Sequence, residues 1–265
     1  MTNRLSIGIV GGGNMGEPII NNLSKNYQVA VCEADKIKSA RLRRRYGVAT
    51  LDLKTLIAQS PVIILCVKPQ SFPALLKEMR LIGLESQLII SIAAGIKTST
   101  IEKLLGEQGR VIRTMPNLPA QIGKGITAVA KGKKATVKDF KLAKEIFNFV
   151  GEVVGVDEKD IDTVTAISGS GPAYVFLFVE HYMKAARALG GLPPKMVDQL
   201  VLETIKGSIA VIDTTKIDPK SLRAQVTSKK GTTEAAIKEF SKGKMDKVFK
   251  DALAAAKKRA KQLSQ

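Results

Sequence analysis

The stretch Leu5-Ser6-Ile7-Gly8-Ile9-Val10-Gly11-Gly12-Gly13-Asn14-Met15-Gly16 decides how this chain is read. It opens as a short apolar run and then turns on Gly11, Gly13 and Gly16, at the spacing G-x-G-x-x-G. A helix-compatible segment follows, Glu17 to Lys25. Strand, glycine turn, helix is the context in which this spacing binds a dinucleotide. The first glycine permits the tight turn, the second lets backbone approach a pyrophosphate, and the third lets helix and strand pack closely. Asn14 and Met15 complete the turn, and amides at the helix start face the phosphates. A lone motif of this kind also occurs as a plain turn, so the rest of the chain has to agree with it.

The first half does agree. Gln28 to Glu33, Pro61 to Val67, Gln87 to Ile92 and Arg110 to Met115 read as apolar strands. Helical segments separate them at Lys36 to Tyr46, Leu53 to Gln59, Gln70 to Arg80 and Thr98 to Leu105. Val62-Ile-Ile-Leu65 is continuously apolar, as a parallel strand covered on both faces should be. This alternation predicts a parallel sheet with right-handed crossovers. Gly125 to Ala130 and Gly151 to Val156 add two strands around a helix, Val137 to Phe149.

After about residue 160 the strand signals stop. Ala173 to Leu189 is a long helix, apolar nearly all round and ended by Gly190-Gly191. Pro194 to Val211 is a second long helix, and shorter helices follow, the last being Met245 to Leu263. A helix of the first kind is buried in a core or an interface. The helical half would bury it most easily against a second copy of itself, which predicts a homodimer or larger oligomer.

The chain has 265 residues, 45% of them hydrophobic, and a net charge of +18. No apolar run approaches the ~20 residues of a membrane helix. The amino terminus lacks a charged-then-apolar leader pattern, so a cytoplasmic location is expected. Cys32 and Cys66 lie in strand-like runs and read as buried thiols rather than a disulfide. Two separated cysteines and the single His181 make no metal site. The basic residues are spread over most helices without aromatic interleaving, so no nucleic-acid partner is expected.

In an open parallel sheet, ligands lie outside the carboxyl ends of the strands. Those ends are Gly11 to Gly16, Glu33, Val67-Lys68-Pro69, Ala93-Ala94-Gly95 and the loop around Asn117. Glu33 stands 22 positions after Gly11 (33 minus 11), where a carboxylate takes the adenosine ribose hydroxyls. Alone it favours NADH, but Lys36, Lys38 and Arg41 are close enough in sequence to neutralise the 2′-phosphate of NADPH. Lys68 suits a ribose or phosphate contact, or is a solvated loop lysine. No general acid or base stands out. That fits hydride transfer to a protonated imine, which is already an electrophile; a ketone would usually need a proton donor.

Two motifs in the helical half carry the remainder. Ser168-Gly-Ser-Gly-Pro-Ala-Tyr174 is a small-residue turn with Pro172 at a helix start, suited to a close crossing of chain segments. Thr227-Ser-Lys-Lys-Gly-Thr-Thr-Glu234 precedes a helix, and its hydroxyls with the free helix-start amides suit a carboxylate. Thr232 or Thr233 would also serve as a plain helix cap.

Together these segments resemble the pyrroline-5-carboxylate reductase family over almost the whole chain. The carriers are Gly11 to Gly16, Val67 to Pro69, Ser91 to Gly95, Arg113-Thr-Met-Pro-Asn117, Ser168 to Tyr174 and Thr227 to Thr233. The resemblance implies an α/β fold: an N-terminal dinucleotide-binding Rossmann domain, residues 1–158, then an all-helical dimerisation and substrate-binding domain, residues 159–265. It implies reduction of 1-pyrroline-5-carboxylate to L-proline with NADPH or NADH, the last step of proline biosynthesis, in a homodimer or ring of dimers. Ser228, Gly231, Thr232 and Thr233 would hold the substrate carboxylate, with the Thr233 hydroxyl near the ring nitrogen. Ala94, Gly95 and Asn117 would lie toward the nicotinamide, with Ala93 in the same cofactor-binding loop. The chain departs from the family at Lys229-Lys230, where the second residue is often glycine, and at Glu33. β-Hydroxyacid dehydrogenases share the two-domain plan, but they place a catalytic lysine on the helix after the interdomain turn. Ala173 to Glu180 contains none.

Overall fold

The computed structural model describes residues 4–264. Its contacts divide the chain into two compact units, Met1–Pro172 with Ala256–Gln265, and Ala173–Ala255. The strands are β1 (Ser6–Val10), β2 (Gln28–Cys32), β3 (Ala49–Thr50), β4 (Val62–Leu65), β5 (Leu88–Ser91), β6 (Arg110–Met115), β7 (Gly125–Lys131) and β8 (Gly151–Gly155). Between them run α1 (Gly16–Leu23), α2 (Lys36–Tyr46), α3 (Leu53–Gln59), α4 (Phe72–Ile82), α5 (Thr98–Leu104) and α6 (Val137–Asn148).

One sheet holds all eight strands in the order β3-β2-β1-β4-β5-β6-β7-β8. Neighbours from β3 to β6 are parallel. β7 runs antiparallel to β6 and carries β8 parallel to itself. The chain winds outward in both directions from the β1–β4 pair, so the switch point lies at the carboxyl ends of these two strands. β4 is buried along its length, and its residues feed two cores: Ile64 packs with Ile7, Ile9, Ile90 and Ile112 on one face, Ile63 and Leu65 with Phe72 and Leu76 on the other. That double covering is why the segment is continuously apolar.

Local signals set the helix ends. Asp35 caps α2 by accepting the amides of Ile37 and Lys38, and Gly47 ends it at φ +66°. The Lys38 amide, with that of Ile37, holds the Asp35 carboxyl below the usual carboxylate range. A reciprocal capping box between Thr136 and Asp139 starts α6. The expected helix over residues 70–80 begins instead as a 3₁₀ turn, Pro69–Ser71, before α4. β3 has no counterpart in the sequence reading, because two residues carry no periodicity to detect.

After β8 come α7 (Ile161–Val164) and a π-helical turn, Thr165–Gly169. The helices α8 (Gly171–Ala188), α9 (Pro194–Thr215), α10 (Pro219–Gln225), α11 (Thr232–Lys242) and α12 (Met245–Leu263) complete the chain. Residues 159–172 and 256–264 pack with the sheet, although the division expected at residue 158 assigns them to the helical half. In the second unit, Arg187 on α8 holds Asp198 on α9 through two hydrogen bonds, one of them 2.8 Å from Nε. No residue of α8 is buried, and Val175, Phe176 and Leu177 are each about half exposed. A single copy thus leaves the apolar faces of that helix uncovered.

Candidate functional site

The carboxyl end of β1 turns through three glycines, and each is needed for a different reason. Gly11 takes φ +96°, and a Cβ there would meet the Cys66 carbonyl oxygen at 2.9 Å. A Cβ on Gly16 would stand 2.2 Å from the Gly11 carbonyl oxygen, so helix and turn could not close together. A Cβ on Gly13 would meet nothing within 4 Å. Gly13 therefore faces open space at the switch point. A pyrophosphate entering there meets bare backbone beside the start of α1, so these residues fit a dinucleotide.

Neighbouring loops are tied to this turn. The Gly11 amide donates to the Cys32 carbonyl at 2.9 Å. The Gly12 amide donates to Glu33 Oε2 at 2.7 Å, and Glu33 Oε1 accepts the Asp35 amide at 3.0 Å. Val67 packs close to Gly11. The Gln121 side chain donates to the Asn14 carbonyl at 3.3 Å, linking the glycine turn to the loop after β6. Met15 is half-buried against the core beside α1. Burial pushes both thiols, Cys32 and Cys66, up from their ordinary value, so they stay protonated at neutral pH.

Beside Glu33 lies a cavity of about 430 Å³ lined by Lys36, Ser39, Arg43 and Arg44 of α2 and by Thr50 of β3. Lys36, Lys38 and Arg41 are the basic residues close enough to Glu33 in sequence to neutralise a 2′-phosphate. Of these, Lys36 lines the cavity, whereas Arg41 pairs with Glu17 of α1, as do Arg45 and the Tyr46 hydroxyl. Arg43 and Arg44 line the cavity with Lys36, because one face of α2 presents residues 36, 39, 40, 43 and 44 together.

Farther along the sheet, Lys68 and Pro69 are exposed at the start of the 3₁₀ turn. Ala93 is buried and its amide donates to the Ser91 hydroxyl at 3.2 Å, so only Ala94 and Gly95 of that loop are partly open. Gly95 takes φ +78° and packs against the Leu263 carbonyl, where a Cβ would approach to 2.8 Å. Docking of the α12 end on this loop has no sequence signal. The Asn117 carboxamide accepts the Ile126 amide at 2.9 Å and donates to the Ser168 hydroxyl at 3.3 Å. A Cβ on Gly169 would strike Met115 at 2.4 Å. The small-residue motif therefore does what its composition suggests, letting the Ser168 turn close on the loop after β6.

In the second unit, the Thr227 to Glu234 segment builds the start of α11. Gly231 is the residue before the helix and no side chain caps it, so neither Thr232 nor Thr233 acts as the plain cap. The first-turn amides are left for another acceptor. The Gly231 amide donates to the Ser228 carbonyl at 3.0 Å, and a Cβ on Gly231 would stand 2.4 Å from the Ser228 hydroxyl. Only glycine lets Ser228 sit so close to the helix start. Lys230 takes φ +59°, the left-handed conformation that favours glycine, and its amide donates to Glu234 Oε2 at 2.8 Å. Lysine thus keeps the backbone shape at the position where the chain departs from the family pattern.

His181 is exposed on α8 and Tyr174 is half-buried. Among the described residues, no group of three or more His, Cys, Asp or Glu is placed to hold a metal ion. Among the described residues, no helix is long and apolar enough to cross a membrane.

A family described as pyrroline-5-carboxylate reductase dimerisation matches residues 158–263. A second, described as NADP oxidoreductase coenzyme F420-dependent, matches residues 6–95. The pyrroline-5-carboxylate reductase of Corynebacterium melassecola is 34% identical, over 97% of this chain and 98% of its own. That of Arabidopsis thaliana is also 34% identical, over 98% and 95%. Among solved structures, a pyrroline-5-carboxylate reductase from Coxiella burnetii matches with a TM-score of 0.91 at 36% identity, covering 99% of this chain and all of the other. The Plasmodium falciparum pyrroline carboxylate reductase, solved with NADP bound, matches with a TM-score of 0.88 at 27% identity, covering all of both chains.

Proposed function

The chain belongs to the pyrroline-5-carboxylate reductase family and reduces 1-pyrroline-5-carboxylate to L-proline with NADPH or NADH, and from that premise we propose how its residues divide the work. The single observation that carries the activity is the end-to-end likeness to named reductases, at 34% identity over 97% of the chain. The division of work below rests on the local geometry of each unit.

Gly11, Gly13 and Gly16 hold the cofactor pyrophosphate, with Asn14 and Met15 shaping the turn. Open space over Gly13 supports this. Glu33 and the basic cavity beside it receive the adenosine ribose. Val67, Lys68 and Pro69 border the path toward the nicotinamide, and Ala93, Ala94, Gly95 and Asn117 line its far end, Ala93 through its backbone. When bound, the reduced nicotinamide supplies the hydride. In this reading residues 1–158 hold the cofactor, and the helical half after residue 158, apart from the segments that group with the sheet, supplies dimerisation and substrate binding.

Ser228, Gly231, Thr232 and Thr233 hold the substrate carboxylate at the uncapped start of α11, where amides and hydroxyls donate together. The Thr233 hydroxyl accepts the N–H of the protonated imine and orients the ring. Orientation and charge placement are what the chain has to supply, since the iminium carbon is already electrophilic. The exposed apolar residues of α8 support pairing of two copies, and rings of such dimers follow in this reading. We place the reaction in the cytoplasm.

Thr233→Ala tests the substrate assignment. The expected result is a substrate KM raised roughly tenfold or more, as for loss of a hydrogen bond to a charged group, with the cofactor KM little changed. An unchanged substrate KM removes Thr233 from the site.

A further inference from the structure

The glycine turn and the Thr227 to Glu234 segment leave one group without a role: Arg113, in the middle of β6. The resemblance covers this residue but assigns nothing to it. Arg113 is among the largest fully buried side chains, 2% exposed, on the sheet face that carries α5 and α7. Its Nη1 donates to Glu158 Oε1 at 3.4 Å, and its Nη2 lies 3.7 Å from Asp162 Oδ1. Both distances are long for charge-assisted contacts, which normally close to about 2.7–2.9 Å. Nε and Nη2 have no hydrogen-bond acceptor among the described residues.

These two nitrogens form one edge of the guanidinium, an edge whose parallel N–H groups take an oxyanion through two bonds. Leaving it unbonded in the interior is costly, so the edge points to a missing acceptor. The two carboxylates nearby do not supply it. Both Glu158 oxygens are engaged at 2.7 Å by Thr98, one by its amide and one by its hydroxyl. Asp162 Oδ1 accepts the Ser264 hydroxyl at 2.8 Å.

Arg113 lines a cavity of about 560 Å³, whose other basic residues are Lys97, Lys159, Lys257 and Lys261. Glu158 and Asp162 are its acidic members. Five cationic side chains therefore face two carboxylates, of which Glu158 is engaged through both oxygens and Asp162 through Oδ1. Lys159 also pairs with Asp157 at 3.2 Å, which leaves Lys97, Lys257 and Lys261 as the uncompensated rim. A buried fork beneath a ring of lysines is arranged for an anion larger and more highly charged than a single carboxylate.

We propose that this cavity is a second anion site, binding a phosphate-class polyanion against Lys97, Lys257 and Lys261, with the buried Arg113 guanidinium and its unbonded Nε–Nη2 edge beneath it. The site shares no residue with the glycine turn. Its end at Ser264 lies one residue beyond Leu263, which packs on Gly95.

The test is a thermal-shift titration of the full chain with inorganic pyrophosphate, at saturating NADP⁺ so that the glycine turn is filled. A parallel series in sodium chloride at matched ionic strength reports the nonspecific effect of salt. The expected result is a saturable rise in Tm with pyrophosphate that chloride does not reproduce. Lys257→Ala with Lys261→Ala, two exposed changes, should leave reductase activity unchanged and raise the half-saturating pyrophosphate concentration roughly tenfold. Arg113→Lys, which keeps the charge and loses the fork, should abolish the saturable rise; the lysine pair decides the matter even where that buried variant does not fold. Equal shifts in pyrophosphate and chloride, or equal half-saturation in wild type and the lysine pair, overturn the proposal. A failure of NADP⁺ itself to raise Tm would count against the cofactor assignment of the glycine turn, not against this site.

Discussion

Glu33 accepts the Gly12 amide at 2.7 Å, which ties the end of β2 to the glycine turn after β1. The same carboxylate accepts the Asp35 amide at 3.0 Å, so both oxygens are engaged by backbone. One negative charge is thereby held at the mouth of a cavity lined by Lys36, Arg43 and Arg44. In the proposed site the three cations attract a 2′-phosphate and the carboxylate opposes it. Glu33→Gln removes the opposing charge at nearly constant size. The expected outcome is a several-fold rise in kcat/KM for NADPH relative to NADH, as for removal of one like-charge contact near the surface. Any disturbance of the glycine turn acts on both cofactors, so the ratio isolates the charge. An unchanged ratio would show that Glu33 does not face the adenosine ribose.

The glycines separate folding from binding. Gly13→Ala meets no atom within 4 Å, so the variant should keep the wild-type Tm. In the proposed site the added methyl stands where the pyrophosphate comes close, so KM for the cofactor should rise roughly tenfold or more. Gly16→Ala forces a Cβ to 2.2 Å from the Gly11 carbonyl and should lower both Tm and cofactor affinity. Paired melting curves and KM values check both. A Gly13→Ala enzyme with unchanged cofactor KM would remove the phosphate assignment.

Lys230 carries backbone strain that glycine would relieve. At φ +59° a non-glycine residue costs about 1–2 kcal/mol, partly offset by the greater freedom of glycine in the unfolded chain. Lys230→Gly should therefore stabilise the protein by up to about 1 kcal/mol, read as a higher denaturant midpoint. The amide bond to Glu234 is kept, so the substrate KM should not change. A lower midpoint would mean that the lysine side chain contributes more than its backbone costs.

The strands and most helices were legible because their signals are local. β4 reads as buried from four apolar residues, and α2 was read over Lys36 to Tyr46, the span it takes. The glycine turn was legible because Gly11 and Gly16 answer steric demands within the chain and Gly13 leaves its space open. Pairings between distant segments were not legible. Arg41 stands near Glu33 in sequence, yet it turns to Glu17, because the choice among basic residues of α2 depends on which face each one occupies. The Gly95–Leu263 packing and the Arg113 cluster join segments far apart in the chain, and no spacing rule relates them. The exposed start of α11 lay between the two, since its hydroxyls were visible and the missing cap was not.

The most direct test of the account is a steady-state assay of the purified chain with 1-pyrroline-5-carboxylate and each reduced nicotinamide cofactor in turn, following loss of reduced-nicotinamide absorbance and formation of L-proline. The account predicts cofactor oxidation that depends on pyrroline-5-carboxylate and yields one proline per cofactor oxidised. Cofactor oxidation absent with both NADPH and NADH, or present without proline as product, would contradict it.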